Sequence, residues 1–160
     1  MSVLQIRQAT ADDAALILKF VRELAIYEKA EREVIATEAD IRASLFDHRS
    51  TASSIICSFD NIAAGFAVYF FNYSTWLGRQ GLYLEDLYVS PRYRNTGAGK
   101  ALLKYLAQVA VSNHCGRFEW SVLDWNEPAI QFYKGIGAEA QDEWTTYRLA
   151  GKALVDFANS

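Results

Sequence analysis

The feature that most constrains the fold of this chain is a predicted strand followed by a polar, glycine-bearing loop and a long amphipathic helix. The apolar and aromatic segment Leu82–Val89 stops before Pro91, because proline has no amide hydrogen for a strand ladder. A helix is predicted after the loop Arg92–Gly99, with Gly116 at its end, and a further strand at Phe118–Leu123. A strand, a helix and a strand in this order predict a parallel pair with a crossover connection. The apolar face of the helix contains Leu102, Leu103, Leu106, Val109 and Ala110.

The N-terminal part of the chain predicts one short strand and two helices. Val3–Ala9 alternates weakly between apolar and polar residues, as a half-buried strand does. Thr10 with Asp13, and Thr37 with Asp40, have the spacing of capping boxes, in which each side chain accepts a hydrogen bond from the other's backbone amide. We therefore expect helices to begin after Thr10 and after Thr37.

The middle and the end of the chain predict further strands. Between Ser53 and Val89, β-branched and aromatic runs are separated by a turn at Asp60–Asn61 and by a longer connection at Asn72–Gly81, which is typical of consecutive antiparallel strands. Pro128 marks the first turn of a short helix, and Trp144–Leu149 predicts a last strand. The pattern predicts one domain over residues 1–160, of the α/β or mixed α+β class, in which helices cover a mixed sheet.

Composition excludes several classes of function. The chain has 160 residues, 16 basic and 19 acidic, and a net charge of −3, so no basic surface predicts binding to nucleic acid or to an anionic membrane. Its longest apolar run, Ile62–Phe71, is about half of the roughly 20 residues that a spanning helix needs. Without a signal-peptide pattern, we expect a cytoplasmic protein. Cys57 lies far from Cys115 in the sequence, and His48 and His114 lie in different segments without ligand spacing, so no metal site is expected.

The loop Gly97-Ala98-Gly99-Lys100 lies where backbone amides at a helix start attract phosphate. A P-loop requires an earlier glycine and a serine or threonine directly after its Gly-Lys pair, where this chain has Ala101. A dinucleotide fingerprint requires a third glycine where Leu102 stands. Both of these phosphate motifs are therefore excluded.

The remaining interpretation rests on Arg94-x-x-Gly97-x-Gly99, which is similar to the pyrophosphate loop of the GNAT superfamily of N-acetyltransferases. The strand end Leu87–Pro91 before the loop and the segment Asn126–Lys134 after the next strand resemble the two cofactor-binding motifs of that family. The resemblance covers nearly the whole chain and implies the GNAT acyl-CoA N-acyltransferase fold, with a mostly antiparallel central sheet. Three segments resemble the spermidine/spermine (diamine) and thialysine acetyltransferase branch: Leu24–Glu28, Leu84–Leu87 and Asp124–Pro128.

This resemblance implies acetyl-CoA as cosubstrate and no metal. Backbone amides of the loop would bind the pyrophosphate, and the guanidinium of Arg94 would reach a phosphate. Asn95 stands where the family often has glycine, and asparagine adopts left-handed conformations more readily than most residues. The implied cofactor-binding residues are Leu87, Tyr88, Val89, Arg94, Asn95, Thr96, Gly97, Ala98, Gly99, Lys100, Asn126, Glu127, Pro128 and Ala129.

The resemblance also implies two catalytic residues. Tyr133 would be the general acid that protonates the leaving CoA thiolate; the alternative is a core tyrosine on the apolar face of its helix. Glu85 and Asp86 are adjacent in a predicted strand and are expected on opposite faces. Glu85, on the side of Leu87, would bind the amine and remove its proton, directly or through water; its alternative is a structural ion pair. Asp86 is predicted to be structural.

Contacts with the acceptor substrate are implied for a small set of residues. One departure concerns Ser74, which stands where the polyamine enzymes carry an aspartate that would hold a polyamine ammonium. We therefore expect spermine not to be the preferred amine. The implied substrate-binding residues are Tyr27, Glu28, Glu85, Glu119, Trp120 and Ser121.

Together, the residues and the resemblance predict an acetyl-CoA-dependent N-acetyltransferase. Its acceptor would be a primary amine of a small cationic metabolite, such as a polyamine, a diamine or a lysine analogue, attacking the thioester directly. Family analogy implies a homodimer. Two alternatives stay open at this point: an acetyltransferase of protein amino groups, and a non-catalytic acyl-CoA sensor.

Overall fold

The computed structural model describes residues 2–160. The chain forms two compact units, one ending at Ser121 and the other spanning Val122–Ser160; the single domain expected over residues 1–160 stays a prediction. In chain order the regular elements are β1 (Leu4–Gln8), α1 (Ala14–Tyr27), α2 (Glu38–Leu45), β2 (Ala52–Phe59), β3 (Ile62–Ser74), β4 (Arg79–Val89), α3 (Ala98–Ser112), β5 (Phe118–Trp120), α4 (Glu127–Gly135) and α5 (Gly151–Ala158).

The first unit contains a five-stranded sheet in the order β1-β2-β3-β4-β5. All neighbouring strands are antiparallel except β4 and β5, which are parallel. The turn between β2 and β3 consists of Asp60 and Asn61, with φ of 48° and 67°, the left-handed pair that suits the twist of a two-residue hairpin. The predicted mixed, mostly antiparallel sheet and its parallel pair are confirmed.

Both predicted capping boxes are present. At the start of α2, the amide of Thr37 donates to Asp40 Oδ2 at 2.8 Å, and the amide of Asp40 donates to Thr37 Oγ1 at 3.2 Å. At the first box, a 3₁₀ turn at Ala11–Asp13 leads into α1. There the Asp13 carboxylate accepts from the Thr10 amide and, at 2.8 Å on each oxygen, from the guanidinium of Arg7.

The core covers both faces of the sheet, because Ile55 and Ile56 point to opposite faces and are both fully buried. On the face of Ile56, which we call the front face, Phe20 of α1 stacks on Phe66 of β3 with ring centroids 5.5 Å apart. Tyr88 of β4 completes this cluster. Helix α3 buries Leu102 and Leu106 and packs against β3 and β4.

Helix α3 ends at Ser112, before the predicted end at Gly116. His114 adopts a left-handed conformation, with φ 55°. The amide of Cys115 donates a hydrogen bond to the carbonyl of Ala110 at 2.9 Å, as in a Schellman-type helix end. Gly116 has another function: a Cβ atom there would lie 2.6 Å from Leu77 Cδ1. Because Gly116 has no side chain, the turn between β3 and β4 can lie directly against its backbone.

Strands β3 and β4 extend through most of the connection predicted at Asn72–Gly81. Tyr73 pairs with Gln80 and Ser74 with Arg79, so the ladder continues almost to the turn. The buried hydroxyl of Ser74 accepts a hydrogen bond from the Leu77 amide at 3.2 Å. Continued cross-strand pairing outweighs the turn-forming composition of this segment.

The strand predicted at Trp144–Leu149 is not formed. These residues are irregular, and the side chain of Tyr147 is 93% exposed. Within residues 2–160 no strand pairs with this segment, and a strand without a partner is not stable by itself. Helix α5 follows this irregular segment. None of the helices in this range is both long and apolar enough to span a bilayer.

Candidate active site

The loop between β4 and α3 is a left-handed turn that opens onto the start of the helix. Asn95 has φ 62° and Gly97 has φ 90°, so asparagine adopts the conformation expected of it. The amide of Ala101 donates to the carbonyl of Gly97 at 2.9 Å; the preceding helix amides therefore have no acceptor within the helix. A Cβ atom at Gly99 would touch only Val89 Cγ2, at 3.9 Å. The backbone is thus open to an anion.

The start of this loop is held by the strands before it. The Tyr93 amide donates to the Ser90 carbonyl at 2.8 Å, which closes a short 3₁₀ turn at Pro91–Tyr93. The Tyr93 ring stacks on Phe59 of β2, with centroids 5.4 Å apart. The loop is therefore positioned before any ligand binds.

The side chain of Arg94 turns toward β4 and the end of α1. Its Nε donates to the carbonyl of Val89 at 3.1 Å, and its Cζ lies 5.0 Å from the ring centroid of Tyr27 and 5.7 Å from that of Tyr88. These contacts involve the guanidinium that was expected to reach a phosphate. The contact with a phosphate stays a prediction.

Strand β4 contains a bulge at Glu85. Leu84 pairs with Tyr69, whereas Asp86 pairs with Val68, the residue directly before Tyr69. Glu85 is the additional residue, and a bulge breaks the regular alternation of side chains. The regular alternation that was expected to place Glu85 and Asp86 on opposite faces of the sheet is therefore interrupted at this point of β4. Asp86 lies opposite Val68, on the front face that also contains Tyr88.

Asp86 is the most perturbed carboxyl group of the site. Burial, the charge of Glu85 and the charge of Glu28 raise its pKa to about 6. Burial also raises the pKa of Glu28, the residue that follows α1. The sequence predicted a structural role for Asp86. The only signal in the sequence for a further role of this residue was the pair of adjacent acidic residues in Leu84-Glu85-Asp86-Leu87. The three carboxyls form a negative cluster that suits a cation.

The edge of β4 next to this cluster is open. Strand β5 pairs with Leu82–Leu84 only, so within the described part of the chain no strand lies on that side of Glu85–Val89. Backbone amides and carbonyls of an open edge can hold an extended ligand as a strand would. This geometry is compatible with the role expected for Leu87–Val89.

The β5 residues predicted to contact substrate already have partners within the first unit. Glu119 Oε1 lies 2.8 Å from Nε of Arg117, and the hydroxyls of Ser121 and Tyr83 lie 2.8 Å apart. The Trp120 ring meets Phe118 edge to face, with centroids 5.0 Å apart. Their roles as substrate contacts stay predictions.

The second unit carries the other predicted site residues on and before α4. Asn126 occupies the N-cap position, but its side chain makes no capping hydrogen bond, and Pro128 lies in the first turn as predicted. Tyr133 is half-buried, and its ring packs edge to face against Phe132, with centroids 6.0 Å apart. The expected roles of Asn126–Ala129 and Tyr133 stay predictions.

Two further observations concern ligand sites. Within residues 2–160, no three His, Cys, Asp or Glu side chains are grouped so that they could hold a metal ion. A groove of about 590 Å³ lies beside β1 and the start of α1, and no predicted site residue lines it. It is lined by Gln5, Ile6, Arg7, Leu16, Ser58, Asn61 and Ala63.

The comparison with known families agrees with this geometry. Residues 19–138 match the acetyltransferase (GNAT) family. This chain belongs to that family and is an acetyltransferase. The family generally uses acetyl-CoA as cosubstrate. The predicted membership, the fold class and the assignment as an enzyme are therefore confirmed.

Curated relatives in this family match over nearly their whole length. The chain is 36% identical to a thialysine N-epsilon-acetyltransferase of Mus musculus, covering 99% of each chain. It is 31% identical to an L-ornithine N5-acetyltransferase of Arabidopsis thaliana, covering 94% of this chain and 86% of that protein. A solved integron cassette protein from the V. cholerae mobile metagenome is 28% identical, with a TM-score of 0.82 and 98% coverage of both chains.

Proposed function

We propose that this acetyltransferase transfers the acetyl group of acetyl-CoA to a primary amine of a small cationic metabolite. The observation that carries the proposal is the gathering of Glu28, Glu85 and Asp86 on and beside the strand that leads into the glycine loop. Burial among like charges makes ionised Asp86 costly, and a bound ammonium relieves that cost. The cluster thus favours a cation over a neutral or anionic acceptor.

The proposed reaction needs one base and one acid. Glu85 removes a proton from the bound ammonium, directly or through water, and the freed nitrogen lone pair forms a C–N bond with the thioester carbonyl carbon. Backbone amides near Leu87 stabilise the resulting oxyanion. The C–S bond then breaks as the carbonyl re-forms, and Tyr133 gives its hydroxyl proton to the CoA sulfur. The attacking nitrogen loses its second proton as the amide forms, and this proton restores the Tyr133 hydroxyl directly or through water.

The loop supports acetyl-CoA as the acyl donor. Its backbone amides and the positive end of the α3 dipole attract the pyrophosphate. The open space at Gly97 and Gly99 lets phosphate oxygens approach the backbone closely. The open β4 edge offers hydrogen bonds to the pantetheine arm.

Two observations support a short acceptor over a long polyamine. Glu119, the carboxylate on β5, is paired with Arg117, so its negative charge is offset. Ser74 is buried in a turn and offers no carboxylate. The relatives named above act on thialysine and on L-ornithine, which are both short cationic amines. We propose an acceptor of this size, a diamine or a lysine analogue.

A CoA-release assay with a panel of amines tests the proposal. The panel contains thialysine, ornithine, lysine, diamines, spermidine, spermine, an aminoglycoside and an N-terminally free peptide. We expect the highest kcat/KM for a short cationic amine. A neutral or anionic best substrate would contradict the proposed acceptor site, and a preference for the peptide would favour a protein acetyltransferase. Acetyl-CoA binding without CoA release on any amine would favour a sensor.

The proposal also includes a cytoplasmic location, as expected from the sequence pattern, and a homodimer, which rests on the family resemblance. Sedimentation of the purified protein over a range of concentrations measures the oligomeric state. A monomer at micromolar concentration with full activity would contradict this part and leave the proposed reaction unaffected.

A further inference from the structure

One guanidinium joins three elements of the first unit. Arg94 lies in the glycine loop, its Nε donates to the carbonyl of Val89 at the end of β4, and its Cζ lies over the ring of Tyr27, the last residue of α1. The ring of Tyr88 lies 5.7 Å from the same carbon. The loop, the strand end and the helix end are thus connected through one side chain.

The connection reaches the acidic cluster through the chain itself. Glu28 directly follows Tyr27, and backbone hydrogen bonds at the end of the helix hold it in place. The Glu28 amide donates to the carbonyl of Leu24 at 2.9 Å, and the Ala30 amide donates to the carbonyl of Ala25 at 2.8 Å. Lys29 adopts a left-handed conformation, with φ 60°. Arg94 thus contacts the residue that directly precedes Glu28, at a helix end whose backbone these hydrogen bonds hold.

A further contact ties Tyr88 to the same helix. The pKa of Tyr88 is raised by burial and by a hydrogen bond and charge from Glu23 of α1, against an opposing effect of Arg94. Tyr88 thus lies close both to Arg94 and to α1, where the ring of Phe20 is 5.9 Å from its own. A planar guanidinium between aromatic rings is a geometry that lysine does not reproduce.

We propose that Arg94 is a positioning residue that couples the acyl-CoA loop to the acceptor side of the site. This inference rests on the proposed function, in which the loop binds acetyl-CoA and the Glu28–Asp86 region binds the amine. Coupling through this side chain means that loss of the Tyr27 ring on α1 alters acetyl-CoA binding, and that a change at Arg94 in the loop alters acceptor binding. Neither effect follows if Arg94 only contacts phosphate.

The test is a double-mutant cycle of acetyl-CoA binding by calorimetry, without acceptor. Tyr27→Leu removes the ring and Arg94→Lys removes the planar donor. Arg92→Lys is the matched control, since Arg92 stacks on Tyr93 of the same turn, 5.6 Å from its centroid. We expect Tyr27→Leu and Arg94→Lys each to weaken acetyl-CoA binding by about fivefold or more. The double variant should bind no more weakly than the weaker single variant, and Arg92→Lys should bind like the parent.

A second readout measures the acceptor side. Arg94→Lys should raise the acceptor KM at saturating acetyl-CoA, although the substitution lies in the loop. Additive effects in the cycle, or unchanged acetyl-CoA binding by Tyr27→Leu, would overturn the coupling. Acetyl-CoA binding is measured without turnover, so an inactive amine panel with intact, coupled binding would contradict only the proposed reaction. A parent protein that does not bind acetyl-CoA would overturn both proposals.

Discussion

The charge of Glu28, the residue that follows α1, acts on the carboxyl group of Asp86 on β4. Burial, together with the charges of Glu85 and Glu28, raises the pKa of Asp86 to about 6. The carboxyl group therefore changes its charge close to neutral pH, where most carboxyls are already ionised. Either a proton or a bound cation offsets the repulsion in this cluster, which leads to two predictions.

The first prediction concerns stability. A carboxyl with a raised folded-state pKa stabilises the fold most when protonated, so its contribution is lost as pH rises from about 4 to about 6. Asp86→Asn removes the buried negative charge that causes this loss of stability. The variant should therefore have a higher free energy of unfolding at pH 7.5, by at most about 3 kcal/mol. The gain should vanish near pH 4. Urea unfolding at both pH values measures it, with Asp142→Asn at an exposed position as control; a less stable Asp86→Asn variant at pH 7.5 would contradict the repulsive cluster.

The second prediction concerns activity against pH. Protonated Asp86 attracts an ammonium less than ionised Asp86 does, so kcat/KM for a cationic acceptor should fall as pH drops below about 6. Asp86→Asn should raise the acceptor KM and remove the part of this decline that belongs to Asp86. A profile of kcat/KM from pH 5 to 8 for both proteins checks this. Superimposable profiles would exclude Asp86 from acceptor binding.

The third prediction concerns the glycine loop. Gly99→Glu places a carboxylate against the pyrophosphate, and the charge repels it. Because a Cβ atom at this position meets only Val89 Cγ2 at 3.9 Å, the variant should fold normally, as circular dichroism will show. Calorimetry should then detect acetyl-CoA binding at least tenfold weaker, about 1.4 kcal/mol. Normal affinity in a folded variant would remove the loop from the cofactor site.

The fourth prediction concerns Tyr133. Tyr133→Phe retains the ring and removes only the hydroxyl, so a general acid should lose about 10²-fold or more in kcat, with little change in acetyl-CoA affinity. Tyr147→Phe is the control, since Tyr147 is 93% exposed. With chemistry shown to be rate-limiting, a Tyr133→Phe variant within a few-fold of the parent would mean that Tyr133 is a packing residue.

The fifth prediction concerns charge and length of the acceptor. Attraction between exposed charges weakens as the Debye length shrinks to about 8 Å at physiological ionic strength, so the acceptor KM should rise with added salt. The shortest cationic amines should have higher kcat/KM than spermine, because Glu119 is paired with Arg117 and Ser74 is buried. Initial rates with short amines and with spermine, each at several salt concentrations, measure the salt dependence and the length preference. A higher kcat/KM for spermine would contradict the expected preference for short acceptors.

Features set by neighbouring residues were determined by the sequence. The capping boxes at Thr10–Asp13 and Thr37–Asp40, the Asp60–Asn61 turn and the proline at the start of α4 all form as predicted. Each depends on hydrogen bonds or backbone angles within a few residues. The glycine loop between a strand and a helix is local in the same sense, and together with Leu87–Pro91 and Asn126–Lys134 its motif identified the family.

Features that depend on distant partners were decided by the tertiary structure. The bulge at Glu85 exists because Leu84 and Asp86 pair with adjacent residues of β3, and no local pattern encodes that register. The direction of Arg94 depends on Tyr27, far away in the sequence. The segment Trp144–Leu149 has the composition of a strand but lacks a pairing strand in the described structure. A side chain's surroundings, and a strand's existence, come from what the fold brings next to it.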